Sequence, residues 1–109
     1  SEASRDEVRK ELDDRFGPPP PAVVNLLDYA VLKALAEKLL VATIDRRGEQ
    51  LAIKFYDDTP LGPERLVNLI GKRRDMRLDP AGMLLLDWKR GKETRPMEAA
   101  KKVLKELQS

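Results

Sequence analysis

The chain has 109 residues, of which 41% are hydrophobic and 37% are charged, with a net charge of +2. This length predicts a single domain with its own core and a heavily charged surface. The sequence contains no His and no Cys, which excludes the usual zinc ligand sets, disulfides and nucleophiles paired with His. No glycine loop for binding phosphates is present. We therefore expect a non-enzymatic module without a cofactor or a metal.

Further expectations concern location and origin. No apolar run reaches the roughly 20 residues that a membrane span needs, and the lack of Cys fits a reducing cytoplasm. We expect a cytoplasmic monomer. The sequence begins at Ser1 without Met and enters a helical segment almost at once. We expect it to be a piece excised from a larger multidomain protein.

The first predicted helix is short and acidic. Ser4 and Glu7 form a capping box, which predicts that the helix begins at Arg5. A narrow apolar stripe follows at four-residue spacing, formed by Val8, Leu12 and Phe16. This stripe predicts that the helix packs against a neighbouring element. Gly17 and the prolines Pro18–Pro21 end the helix.

The second predicted helix runs from Ala22 to about Leu39. Its apolar residues cover most of its circumference, so we expect it to be the most buried helix of the fold, with Leu27, Ala30 and Leu35 inside. The four prolines before it are typical of a rigid bend between packed helices. They are also compatible with a proline-rich ligand for another domain.

The remainder alternates hairpins and helices. Val41–Asp45 and Leu51–Tyr56 follow period two and flank the connection Arg46–Glu49, which predicts a hairpin with Leu51, Ile53 and Phe55 on one face. After a loop at Asp57–Gly62, Pro63 begins a third helix that stops at Gly71.

A second hairpin and a last helix complete the chain. Arg74–Leu78 and Met83–Trp88 are joined by the turn Asp79–Gly82, with Pro second and Gly last. The second of these strands is apolar on both faces, so it is central in the sheet or covered twice, and Trp88 is a core or sheet-edge residue. Thr94 is the predicted cap of a helix whose apolar residues are Met97, Ala100, Leu104 and Leu107.

These elements follow the order α-α-β-β-α-β-β-α. The order predicts an α+β fold in which a four-stranded antiparallel sheet carries packed helices. We divide residues 1–109 into a helical hairpin with a proline bend (1–40) and a ββαββα unit (41–109), both within one domain.

One motif carries a family resemblance. Residues 11–27 follow the pattern E-L-x-D-R-F-G-x-x-P-x-x-V-x-N-L-L, which resembles the start of the C-terminal domain of the bacterial transcription-repair coupling factor family. The likeness continues through Leu35-Ala36-Glu37 and Ile44-Asp45 to Ile53-Lys54-Phe55. It departs at Leu40, where the family usually has Gly at the end of the second helix. The resemblance implies a role in transcription-coupled DNA repair, with the family's ATP-driven DNA translocase outside these residues.

An acidic ridge on the first helix is the first candidate site. Glu7, Glu11 and Asp14 stand at i, i+4 and i+7, and therefore share a face roughly 140° from the middle of the apolar stripe. A solvated helix face explains this pattern as well as a binding site does. The resemblance implies a partner, since in the family this domain folds back on a UvrB-like module of the same protein. That contact masks the surface that recruits UvrA until RNA polymerase is engaged, and Glu11 and Asp14 correspond to its acidic residues.

A basic cluster is the second candidate. Lys72, Arg73 and Arg74 follow the third helix, and Arg90 follows the last strand at the same end of the predicted sheet. Further cations near them are Arg77, Lys89 and Lys92. Such a cluster can contact nucleic-acid phosphates, which makes a small nucleic-acid-binding module the alternative function. Solubility and favourable charge at helix ends explain the cluster more simply, and Trp88 alone is not a set of stacking aromatics, so we do not expect direct nucleic-acid binding.

Overall fold

The computed structural model describes residues 2–91, 93 and 95–109, and of residues 12–16 it describes the helical backbone alone. We number its elements in chain order. The helices are α1 (Glu2–Phe16), α2 (Pro21–Lys38), α3 (Pro63–Lys72) and α4 (Pro96–Gln108). The strands are β1 (Val41–Arg47), β2 (Gln50–Phe55), β3 (Met76–Leu78) and β4 (Leu84–Asp87), and a short 3-10 turn, Trp88–Arg90, follows β4. This order confirms the predicted α+β fold.

A single antiparallel sheet, with strand order β1-β2-β4-β3, positions the other elements. Across its centre Leu51 is paired with Leu86 and Ile53 with Leu84. β4 is therefore an interior strand, as its two apolar faces predicted, and even Leu85, which alternates to the other face, is only 5% exposed. β1 and β3 form the two edges.

The core lies between one face of the sheet and the helices, and α4 contributes most to it. The buried residues of α4 are Ala99, Ala100, Val103, Leu104 and Leu107. α2 does bury Val31 and Leu35, but Leu27 and Ala30 are only half-buried and Leu26 is 67% exposed. The expectation that the second helix is the most buried one is wrong, because the first half of α2 projects beyond the core.

α1 differs from the prediction in its start and in its packing. The helix begins at Glu2, so Ser4 lies inside it and is not the predicted cap. The Glu2 carboxylate lies in the first turn, where the helix dipole favours a negative charge. Val8, expected to pack against a neighbour, is 58% exposed, so that expectation is wrong. The side chains of Leu12 and Phe16 lie outside the described residues.

The two predicted hairpins are both present. Gly48 and Glu49 form the tight turn between β1 and β2. In the second hairpin the Asp79 carboxylate accepts hydrogen bonds from the amides of Ala81 and Met83, at 3.0 and 2.9 Å, and Gly82 has a positive φ of 86°. The second hairpin is shorter than predicted, because Arg74 precedes β3. The predicted cap Thr94 lies outside the described residues, and α4 begins at Pro96.

α2 ends in a left-handed turn at a residue that is not glycine. Leu40 has a φ of 53°, and its amide donates to the Glu37 carbonyl at 3.3 Å. A Cβ in this conformation costs roughly 1–2 kcal/mol. The turn is held from outside, since the Tyr56 amide donates to the Leu40 carbonyl at 2.8 Å and the Thr59 hydroxyl donates to the Leu39 carbonyl at 2.5 Å. Leu40 thus adopts a conformation for which Gly is best suited.

This strain can be measured with two substitutions. Leu40→Gly and Leu40→Ala both remove the side chain beyond Cβ, but only Gly also removes the Cβ that crowds the backbone. We expect Leu40→Gly to be more stable than Leu40→Ala by about 1 kcal/mol, measured by urea unfolding. Equal stabilities, or a more stable Ala variant, would show that Leu40 is not strained.

Candidate functional site

α1 presents acidic side chains to solvent. Glu7 and Glu11 lie one turn apart on it, and both are exposed, as are the side chains between them. Glu7 has no ion-pair partner among the described side chains. Asp14 lies on the helical backbone less than a turn after Glu11, and its side chain is outside the described residues. Glu7 and Glu11 are therefore exposed, as their spacing predicted, and the binding role of the ridge stays a prediction.

The N-terminal end of α1 is anchored to α4. The Glu2 carboxylate forms an ion pair with Lys105 and lies 3.8 Å from the ammonium of Lys101. Both Lys side chains stand one turn apart on α4, so one carboxylate engages two cations. The anchor is at the opposite end of α1 from the proline bend, and the exposed acidic ridge lies between these two attachments.

A buried charge connects this anchor to α2. Asp28 is only 7% exposed, and its two carboxylate oxygens accept hydrogen bonds from Arg95 at 2.7 Å and from Lys101 at 3.3 Å. Arg95 also donates to the side-chain oxygen of Asn25 at 2.6 Å. Because Lys101 contacts both Glu2 and Asp28, it couples three helices. We name Glu2, Asp28, Arg95 and Lys101 the helix-joining ion network.

This network was not predicted from the sequence. One signal was available, namely that Asp28 interrupts an otherwise apolar stretch of α2, where an unpaired carboxylate would be costly. Its cationic partners lie about 70 residues further along the chain, and local spacing cannot identify them. Nearby, Lys102 donates to Glu93 at 2.8 Å, and this hydrogen bond holds the pKa of the Glu93 carboxyl below its ordinary value.

Within the basic cluster, Arg73 is engaged by carboxylates. Its guanidinium donates to both oxygens of Asp75, at 2.9 and 2.6 Å, and to Glu106 of α4 at 3.0 Å. The hydrogen bonds that Asp75 accepts from Arg73 are the main reason why the pKa of the Asp75 carboxyl is lowered. Arg73 therefore ties the segment before β3 to α4, which leaves it little capacity to bind phosphate.

The other cations of the cluster are more accessible. Lys72 and Arg74 are exposed, and Arg90, with a side chain 64% exposed, donates to the Arg74 carbonyl at 3.4 Å. Arg74 and Arg90 therefore adjoin, as predicted. Lys89 forms an ion pair with Glu49 at 3.3 Å, and Lys92 lies outside the described residues.

Trp88 is a core residue and does not offer a stacking surface. It is 5% exposed, and its indole N–H donates to the Gly48 carbonyl at 3.3 Å. The cations of Arg46 and Lys89 lie over its ring, 5.2 and 5.4 Å from the centroid. A nucleobase would have to displace these contacts in order to stack on the indole.

Two further features of the described part of the chain bear on function. Within it, no group of three or more carboxylates, His or Cys side chains is placed to hold a metal ion. No helix of that part is both long and apolar enough to cross a membrane.

Comparison with known proteins gives a consistent result. The TRCF domain model matches residues 1–66. The transcription-repair-coupling factor of Haemophilus influenzae is 39% identical over 72 residues, which are 66% of this chain but 6% of that protein. The crystal structure of the C-terminal domain of transcription-repair coupling factor aligns with a TM-score of 0.70 and 23% identity, covering 94% of this chain and 68% of that one. The structural likeness establishes the fold alone, and the chain spans a small part of its curated relative.

The Arg73–Asp75 pair predicts a pH-dependent stability. The pKa of Asp75 is lowered on folding, so its carboxylate stabilises the fold above its unfolded pKa of about 3.9, and this contribution is lost as the pH falls through the lower folded pKa. We expect Arg73→Leu to destabilise the protein by about 2 kcal/mol near neutral pH, and the deficit to shrink at about pH 2.

The measurement is urea unfolding across this pH range. Lys72→Leu is the control, since it removes an exposed neighbouring cation and is expected to change stability little at any pH. A deficit for Arg73→Leu that stays constant down to the lowest pH would contradict the role given to the pair.

Proposed function

The chain belongs to the TRCF domain family, and from this premise we propose that it is the C-terminal regulatory domain of a transcription-repair coupling factor. It acts in bacterial transcription-coupled DNA repair as a non-catalytic interaction module. The family's ATP-driven translocase lies in other parts of the parent protein. The domain's direct partner is the UvrB-like module of that parent, and its contact with UvrA and RNA polymerase is indirect.

The proposed action is autoinhibition. The domain folds back on the UvrB-like module and covers the surface that recruits UvrA, until the parent engages RNA polymerase. The observation that supports this most directly is the exposure of Glu7 and Glu11 on α1, where Glu11 begins the family's E-L-x-D-R-F-G motif. An acidic ridge of this kind suits a basic partner surface.

The way in which α1 is attached to the domain also suits a reversible contact. The helix is attached by the Glu2 ion pairs at one end and by the proline bend at the other, so the ridge can meet a partner without repacking of the core. Charge pairs at a partly solvated interface select the partner but contribute modest net affinity. We call this contact between the acidic ridge and the UvrB-like module the latch. It must hold in the resting state and release when the parent engages RNA polymerase, and modest affinity meets both requirements.

The latch can be tested in the full-length parent. Glu11→Ala combined with Asp14→Ala is expected to leave folding almost unchanged, because Glu11 is exposed and charged groups on a helix surface contribute little to stability. Each lost charge weakens the interface by about 1–3 kcal/mol if it is well desolvated. In a pull-down without RNA polymerase, the variant parent should therefore capture UvrA, whereas the wild-type parent should not.

A matched control comes from the loop after β2. Asp57 and Asp58 are exposed, and Asp57→Ala combined with Asp58→Ala changes the net charge by the same amount. Without RNA polymerase, this control variant should not capture UvrA. If the Glu11/Asp14 variant folds normally and also fails to capture UvrA, these two residues do not form the latch. Capture by both variants would show a general charge effect.

The alternative is a nucleic-acid-binding module, and the adjacent exposed positions of Arg74 and Arg90 favour it. Charge reversal distinguishes the two functions. Lys72→Glu, Arg74→Glu and Arg90→Glu together should leave binding to the UvrB-like module nearly intact, measured by titration, while Arg73 is kept because it supports the fold. If the wild-type domain binds duplex DNA and the reversals abolish that binding, phosphate is the partner of this cluster. If they release the UvrB-like module, the latch lies on this face.

A further inference from the structure

At the β1 edge of the sheet, apolar side chains of α2 and β1 face a common cleft. A cleft of 440 Å³ lies between α2 and β1, lined mainly by apolar side chains. Leu32 and Ala36 of α2 and Ile44 of β1 line it and are half-buried, while Tyr29 is 53% exposed. β1 is an edge strand, so no further strand of the described residues lies beside it here. The apolar layer between helix and sheet is therefore open at this edge.

The backbone of β1 can extend the sheet at the same place. β1 is paired with β2 alone, and Arg47 and Gln50 close the tight turn. Since hydrogen-bonded and non-bonded pairs alternate in an antiparallel ladder, the amides and carbonyls of Ile44 and Arg46 point away from β2. A register shift between Val41 and Thr43 limits regular pairing to Thr43–Arg47.

The charge of the cleft selects its occupant. Its charged lining residues are Lys33 and Arg46, and no carboxylate of the described residues lines it. A second copy of this chain that paired through β1 would bring the same cations to the same edge. An acidic segment would instead be attracted.

We propose that β1 accepts a fifth strand from a partner protein. The partner is an extended segment whose central apolar side chains alternate with polar ones, and whose flanking residues are acidic. Its backbone pairs with Ile44 and Arg46, and its apolar side chains enter the cleft beneath Tyr29 and Ala36. This surface does not involve α1, so the proposal stands or falls separately from the latch.

Short peptides test it directly. The probes have a core of alternating apolar residues and Thr, with Val, Leu or Phe at the apolar positions, and are flanked by Glu or by Lys. We expect at least one Glu-flanked peptide to shift the NMR amide signals of Ile44 and Arg46 and to slow their hydrogen exchange. The Lys-flanked versions should bind several-fold more weakly.

Two variants provide the control. Lys33→Glu should weaken binding of the Glu-flanked peptide about fivefold. Lys38→Glu makes an equal charge change on an exposed residue of α2 outside the cleft and should leave this binding unchanged. The proposal is overturned if no Glu-flanked peptide affects residues 43–47, or if both variants lose binding equally. It is also overturned if the free protein dimerises through β1, since a second copy then occupies the edge.

Discussion

The buried carboxylate of Asp28 is the constraint on which the arrangement of the helices depends. A charge that is only 7% exposed is strongly unfavourable unless cations accompany it. Arg95 and Lys101 meet this requirement from the start and the second turn of α4. Removing one partner of such a buried pair commonly costs about 3–5 kcal/mol. α2 and α4 must therefore pack in the one register that brings these groups together.

The position of α1 follows from the same network. Lys101 also reaches Glu2, so one of the two cations that place the first turn of α1 is already held in position by Asp28. The exposed ridge of Glu7 and Glu11 is then presented between this anchor and the proline bend. A partner that binds the ridge contacts a helix whose attachment is electrostatic, and such contacts are weakened by salt.

Local sequence patterns predicted the helices and strands. They did not predict the ion pairs between residues that are far apart in the sequence. Period-two alternation identified the first hairpin, and the turn at Asp79 identified the second, because Pro and Gly occupied its required positions. The relative burial of α2 and α4 was not predictable, since both are rich in apolar residues and only the tertiary position of each decides which face is covered. Of the basic cluster, the sequence indicated where Arg73 and Arg74 lie. Asp75 was available as a partner of Arg73, since it lies two residues further along the chain. The sequence could not indicate that Glu106 also engages Arg73, because the two are 33 residues apart.

The central claim is that the acidic ridge of α1 docks on the UvrB-like module of the parent protein. Its most direct test is a calorimetric titration of this domain against that isolated module at low and at high salt. We predict binding at low salt that weakens as salt rises and that is lost when Glu11 and Asp14 are both replaced by Ala. Binding of the double variant with unchanged affinity and salt dependence would contradict the claim.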